Sequence, residues 1–164
     1  LGQGIANAAG MAVAEAFLNR WLGPEIVDHY TYALVGDGCL EEGLGQEVIS
    51  LAGHLRLGKL VFLWDDNLIT DDGDIRLALS DDMPGRFRAS NWHVQEVDGH
   101  DPQAVALAID RAKRDPRPSM IACRTAIGAT IRRNTRKREK PQARAASIWP
   151  CGTDWMPPRI ISLV

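Results

Sequence analysis

Two short apolar runs, separated by a helix-length segment, limit the folds open to this sequence. The first run ends at Val35 and is followed by Gly36-Asp37-Gly38, and the second, at residues 60–65, leads into Asn67. Both runs have the β-branched and aromatic content of buried strands, and residues 41–57 between them carry apolar side chains at helical spacing. Because strands joined by a crossover helix run parallel, we expect Asp37 and Asn67 to reach the same edge of one sheet.

The segments around this unit also have helical patterns. Residues 2–22 are rich in small apolar side chains, which predicts a helix packed closely on several sides. Glu41 and Glu42 are expected in the first turn of the 41–57 helix, where the helix dipole favours acids. Asp101 is expected to cap a helix that begins at Pro102.

Strands and helices therefore alternate as β-α-β-α-β-α-β, an order typical of a parallel α/β sheet covered by helices on both faces. The strands are predicted at 30–35, 60–65, 92–97 and 119–125, with a polar loop at 66–80 and a short helix at 82–89. In such sheets ligands lie beyond the carboxyl ends of the strands. The residues that follow the first two strands lie there, so we expect the ligand site to be built from them.

The side chains at this edge have the oxygen ligands of a hard cation. Asp37 offers a carboxylate and Asn67 an amide oxygen, and the turn after Asn67 leaves a backbone carbonyl of Leu68 or Ile69 free to face the same ion. Completed by diphosphate oxygens and water, this set suits octahedral Mg²⁺. Ca²⁺ accepts the same oxygens with looser geometry.

The glycines beside the acid are expected to serve the same site. Gly36 and Gly38 predict a tight turn that a Cβ would obstruct, with a backbone that a diphosphate can approach. Gly-Asp-Gly is also a common turn sequence, and residues 65–67 also have the composition of a solvated loop. The spacing across one β-α-β crossover is what favours the cation site over these alternatives.

Composition narrows the class of protein. A chain of 164 residues that is 45% hydrophobic and 24% charged can form one globular domain with a real core. It has no apolar run of the roughly 18–20 residues that a membrane span needs, and no secretory signal at its start. Cys39, Cys123 and Cys151 are odd in number and form no Cys-x-x-Cys pair, which argues against a disulfide framework or a zinc site. We therefore expect a cytoplasmic protein without a membrane segment.

Several longer motifs resemble the transketolase family. They are LGQGIANAAGMAVAE, DHYTYALVGDGCLEEG, SLAGHLRLGKL, DDNLIT, the NWHV and DGHD segments, and PSMIACRTAIG. The resemblance is nearly continuous over residues 1–128. It implies the diphosphate-binding domain of a thiamine diphosphate enzyme, with thiamine diphosphate and Mg²⁺ as cofactors.

The resemblance also implies roles for particular residues. Asp37 and Asn67 match the family's metal-binding side chains, and Ile69 matches its metal-binding carbonyl. Gly38 and Asn67 match contacts to the diphosphate, and Leu1 matches the end of a loop that touches the cofactor. Glu42 matches an acid of the subunit interface that is linked to proton traffic between the two cofactors, although the residue pattern alone fits a dipole acid equally well.

The implied activity is the transfer of a two-carbon ketol unit from a ketose phosphate to an aldose phosphate, as in the pentose phosphate pathway or the Calvin cycle. The implied assembly is a homodimer. The family site also needs a glutamate from a second domain, and histidines that precede the segment matching Leu1. We therefore expect this chain to provide one half-site, and the alternative is an inactive remnant that at most binds diphosphate and metal.

Residues 129–164 do not share the family pattern. They carry eight Lys and Arg against two acids, whereas residues 1–128 carry 11 against 19. Such a basic block is typical of a disordered extension or of a nucleic-acid-binding tail, although no motif beyond charge supports nucleic acid as a partner. The abrupt change of composition favours a third hypothesis, a shift of reading frame near Gly128.

Overall fold

The computed structural model describes residues 2–70 and 73–127. Its strands are β1 Thr31–Gly36, β2 Leu60–Asp66, β3 Ile69–Thr70, β4 Gly73–Asp74, β5 His93–Asp98 and β6 Ser119–Arg124. Four of them form one parallel sheet in the order β1-β2-β6-β5, and β3 and β4 form a separate antiparallel pair. The predicted fold class, a parallel α/β sheet flanked by helices, is confirmed.

The helices are α1 Gln3–Leu22, α2 Asp37–Glu41, α3 Gly43–Leu55, α4 Met83–Ala89 and α5 Pro102–Ala112, with one 3₁₀ turn at Ile75–Leu77. The predicted cap of α5 is confirmed, because Asp101 Oδ1 accepts hydrogen bonds from the N–H groups of Gln103 and Ala104 at 2.9 and 3.3 Å. No helix in the described ranges is long and apolar enough to cross a membrane. Leu1, the predicted boundary after residue 128 and the basic tail 129–164 lie outside those ranges.

The two central strands, β2 and β6, are buried on both faces. Along β2 the side chains of Leu60, Phe62 and Trp64 point into one core cluster with residues of α1, α3 and α4. Val61 points the other way, into a smaller cluster with Ala108 and Ala112 of α5. This two-sided burial explains why the strand sequences are continuous apolar runs rather than alternating ones.

The first helix is buried on one side only, so the prediction of close packing on several sides is wrong. Its buried residues form a stripe of mostly small side chains, which lets the helix approach β1 and α3 closely; these are Ile5, Ala8, Ala9, Ala12 and Glu15. The large side chains on its other faces are exposed, Phe17 by 63% and Trp21 by 71%. Apolar residues therefore continue around the helix where no described segment covers them.

The segment predicted as one helix from residue 41 is broken. Glu42 has extended backbone angles (φ −71°, ψ 136°) and separates α2 from α3. Its carbonyl accepts hydrogen bonds from Gly45 and Gln46, so Glu42 is the N-cap residue of α3 and not part of its first turn. Glu41 ends α2 instead. The predicted loop 66–80 likewise contains the antiparallel pair β3 and β4 and the 3₁₀ turn.

Candidate cofactor and metal site

The parallel register brings the sequence-predicted residues to one edge of the sheet. Gly36 lies opposite Asp65 in the β1–β2 pairing. Asp37 and Asp66 therefore follow at the carboxyl ends of neighbouring strands, with Asn67 one residue beyond β2. The expectation that Asp37 and Asn67 share this edge is met.

Asp37 is the most constrained side chain of the edge. It is the first residue of α2 and is only 3% exposed. Its Oδ1 accepts a hydrogen bond of 2.9 Å from the indole N–H of Trp64. Its Oδ2 is buried and has no hydrogen-bond partner, the one carboxylate oxygen in this state among the described residues. An ionised oxygen in this position needs a positive partner, because an unpaired buried charge is costly.

The pKa of Asp37 is consistent with a carboxylate that lacks a positive partner. Burial raises the pKa of Asp37, the hydrogen bond from Trp64 opposes the increase, and the nearby acids Asp66, Asp65 and Glu41 add to it. A divalent cation at Oδ2 would favour the ionised form of Asp37. The donor chemistry of this carboxylate therefore fits a hard cation.

Asn67 lies at the start of a tight turn. Its Oδ1 accepts a hydrogen bond of 2.9 Å from the N–H of Ile69, and Leu68 between them has a left-handed backbone with φ 63°. The carbonyl of Leu68 accepts from the N–H of Ile75 at 3.0 Å. Because hydrogen-bonded and non-bonded pairs alternate in an antiparallel ladder, the Ile69 carbonyl points away from β4. Of the two predicted carbonyls, that of Ile69 is therefore the one that does not point towards β4.

Several residues around these candidate ligands were not predicted from the sequence. Asp66 is 5% exposed and pairs with Arg124 at 3.0 Å, and burial raises its pKa while Arg124 opposes the increase. Thr125 hydrogen-bonds Asp65 through its hydroxyl, and Trp64 holds Asp37. Residue parity along β2 is the only signal for these contacts, and it becomes informative once the strand register is known.

The glycines differ from the prediction. Gly36 has extended angles (φ −101°, ψ 171°), and a Cβ built on it meets nothing within 4 Å, so the expected tight turn that a Cβ would obstruct is wrong at this position. Gly38 lies within α2 and is half-buried beside Asp37. Gly2, by contrast, has φ 76°, and a Cβ there would lie 3.0 Å from the Cβ of Glu42. The exposed Glu42 therefore packs over a glycine at the start of α1.

No group of three or more His, Cys, Asp or Glu able to hold a metal occurs within residues 2–70 and 73–127. A cation at this edge would therefore take few ligands from the protein: the Asp37 carboxylate, the Asn67 amide and the Ile69 carbonyl. Mg²⁺ is commonly bound in this way, with phosphate oxygens and water completing its shell.

Comparisons with known proteins point to one family. Residues 1–145 match the family model described as "Transketolase, thiamine diphosphate binding domain". The chain is 58% identical over 128 residues to a transketolase of Cereibacter sphaeroides and 56% identical over 128 residues to one of Sinorhizobium medicae. These alignments cover 78% of this chain but 20% and 18% of the relatives.

Solved structures agree. The crystal structure of a transketolase from Campylobacter jejuni matches with a TM-score of 0.75 and 38% identity, over 76% of this chain and 20% of that one. A transketolase mutant from Pichia stipitis, solved in complex with fructose 6-phosphate, matches with a TM-score of 0.75 and 44% identity, over 79% and 20%. The chain thus spans about a fifth of the length of these proteins.

Proposed function

The chain belongs to the transketolase family and carries its thiamine diphosphate-binding domain, and from this premise we propose that it provides the diphosphate and Mg²⁺ half of a ketol-transfer site. The reaction proposed is the transfer of a two-carbon ketol unit from a ketose phosphate to an aldose phosphate. The observation that carries the proposal is the buried, unpartnered Oδ2 of Asp37 at the carboxyl edge of the sheet.

We assign the anchoring of the metal to three groups. Asp37 supplies the one anionic ligand. The hydrogen bond from Trp64 to Oδ1 holds the carboxylate and leaves Oδ2 free for the cation. Asn67 and the carbonyl of Ile69 supply neutral oxygens from the turn after β2. A site with a single carboxylate leaves most of the cation's charge for a diphosphate.

Further residues complete the half-site in this proposal. Gly38 lets the diphosphate approach the backbone beside Asp37, and Leu1, outside the described residues, contacts the cofactor. Glu42 is exposed at the N-cap of α3 and is proposed as an acid of the interface with a second subunit. Bound thiamine diphosphate supplies the nucleophilic carbon and the electron sink of the reaction, while these residues bind and orient it.

The same proposal includes a homodimer, sugar phosphate substrates, the pentose phosphate or Calvin routes and a cytoplasmic location. Exposed apolar side chains on α3 and β1 support association of this domain with another protein surface, because Leu51 is 50% and Leu34 is 88% exposed. The alternative is a remnant that binds diphosphate and metal without turnover. The two differ in whether the domain functions when the rest of a transketolase is present.

A chimera separates them. Residues 1–128 of this chain would replace the matching segment of the Cereibacter sphaeroides transketolase, to which they are 58% identical. We expect Mg²⁺-dependent ketol transfer by the chimera and none by the purified chain alone. A chimera that folds and dimerises but transfers nothing would favour the remnant, and robust turnover by the chain alone would contradict the half-site.

A further inference from the structure

The side-chain amide of Asn67 is held from both sides. Its Nδ2 donates a hydrogen bond of 2.9 Å to Oδ2 of Asp65, and its Oδ1 accepts one of 2.9 Å from the N–H of Ile69. An ionised carboxylate only accepts and a backbone N–H only donates, so a single orientation of the amide satisfies both partners. The side-chain oxygen of Asn67 is therefore fixed opposite Asp65, with a second lone pair left for another partner.

Asp65 is exposed and needs a support of its own to hold Asn67 in place. That support is Thr125, whose hydroxyl donates to Oδ1 of Asp65. The carboxylate thus bridges Thr125 on one oxygen and Asn67 on the other. The backbone N–H of Thr125 also donates to the carbonyl of Asp66 at 3.2 Å, which fixes this residue against the end of β2.

Gly99 leaves room for the methyl group of Thr125. A Cβ at residue 99 would lie 2.6 Å from Cγ2 of Thr125, so the threonine methyl occupies space that exists because residue 99 is a glycine. The N–H of Gly99 donates to the carbonyl of Arg124 at 2.8 Å, which fixes this close approach. With the methyl in this space, the hydroxyl of Thr125 faces Asp65.

We propose that Thr125 and Asp65 are positioning residues, which together fix the amide of Asn67 with its oxygen directed at the cation. The inference rests on the proposed function, because it takes Asn67 as a metal ligand. It links the ends of β6 and β2 to a ligand that neither strand contains. Partners of this kind orient metal ligands, and their loss typically lowers metal affinity about 10- to 100-fold.

Three substitutions in the purified protein test this series of hydrogen bonds, which runs from Thr125 through Asp65 to Asn67 and is called the relay below. Thr125→Val keeps the shape and the methyl but removes the hydroxyl, whereas Thr125→Ser keeps the hydroxyl. Thr31→Val is the control, because it removes a hydroxyl that has no partner at the opposite edge of the sheet. Mn²⁺ binding would be followed by electron paramagnetic resonance with saturating thiamine diphosphate. We expect Thr125→Val to weaken Mn²⁺ binding about 10-fold, Thr125→Ser to restore it, and Thr31→Val to leave it unchanged.

A second readout needs no metal. The side-chain NH₂ of Asn67 would be observed by NMR in ¹⁵N-labelled protein and assigned by its absence in Asn67→Asp. Its hydrogens should exchange with water slowly in the wild type and Thr125→Ser, and rapidly in Thr125→Val. An unchanged Asn67 signal together with unchanged Mn²⁺ affinity in Thr125→Val would overturn the relay. If the wild type bound no Mn²⁺, the proposed function would fail, and the amide signal would still decide whether Thr125 holds Asn67.

Discussion

The two edges of the sheet differ in how their buried acids are paired. At the amino ends of the strands, Glu15 is 4% exposed and binds Lys59, which also binds Asp28. At the carboxyl ends, Asp37 is 3% exposed, and one of its oxygens has no partner. Equal burial with unequal pairing is what we expect if the first acid stabilises the fold and the second, as proposed, binds a ligand.

The protonation equilibria follow the same division. Burial acts to lower the pKa of Lys59, but the hydrogen bonds to Asp28 and Glu15 outweigh it and raise the pKa. At the other edge, burial raises the pKa of Asp37. The amino edge thus favours charged side chains, whereas the carboxyl edge disfavours the charge that a metal ligand must carry.

Asp37→Asn should separate binding from folding most strongly. It removes the one anionic group of the proposed metal site, so we expect a loss of more than about 100-fold in metal affinity, above the range for supporting residues. The free energy of unfolding of the metal-free chain should not fall, because an unpaired buried charge is also removed. Mn²⁺ titration and urea denaturation would measure both. An unchanged metal affinity would mean that another group is the ligand.

Glu15→Gln is the matched change at the amino edge. It weakens a satisfied contact to Lys59 in a buried position, and we expect the free energy of unfolding to fall by about 1–3 kcal/mol. Metal affinity should equal that of the wild type. A loss of metal binding without a loss of stability would contradict a purely structural role for Glu15 at the amino edge.

Trp64→Phe tests the support of Asp37. Without the indole N–H, Oδ1 of Asp37 loses its donor, and we expect metal affinity to fall about 10-fold. Trp92→Phe is the control, since Trp92 donates to the carbonyl of Ile49 at 2.8 Å in the same core. Both variants should be less stable in denaturant, and only the first should bind metal more weakly. If Trp64→Phe bound metal as tightly as the wild type, Trp64 would have no role in supporting the metal site.

Asp115→Asn should have the smallest effect. Hydrogen bonds from Arg117 lower the pKa of Asp115 to about 2, so its contribution to stability is present above the ordinary value of 3.8 and is lost as the pH falls towards 2. Because Arg117 is partly exposed, we expect a difference from the wild type of at most about 1 kcal/mol at neutral pH, shrinking below pH 4. Urea denaturation at several pH values would measure it. A difference that grows as the pH falls would contradict the sign.

The sheet could be predicted from the sequence because its central strands, β2 and β6, are buried on both faces. Continuous apolar runs such as residues 60–65 are typical of parallel strands, and their spacing fixed the crossovers. The same logic brought Asp37 and Asn67 to one edge. The pattern also placed the cap of α5 at Asp101, since Asp followed by Pro is a local signal.

The missed features depend on information that periodicity does not contain. The break at Glu42 lies in the backbone angles of one residue, and the two-residue strands β3 and β4 are too short to give a period. The apolar faces of α1 have the same composition whether or not a neighbour covers them. The contact between Trp64 and Asp37 requires the strand register, because parity decides which face each residue occupies.

The claim that Asp37 is a cation ligand poised for a diphosphate is tested most directly by calorimetry. Thiamine diphosphate would be titrated into the purified chain with Mg²⁺ and with a chelator, and into Asp37→Asn with Mg²⁺. We predict weak binding to the wild type that requires Mg²⁺ and is lost in the variant. Binding that persists in the chelator, or that is equal in Asp37→Asn, would contradict the claim.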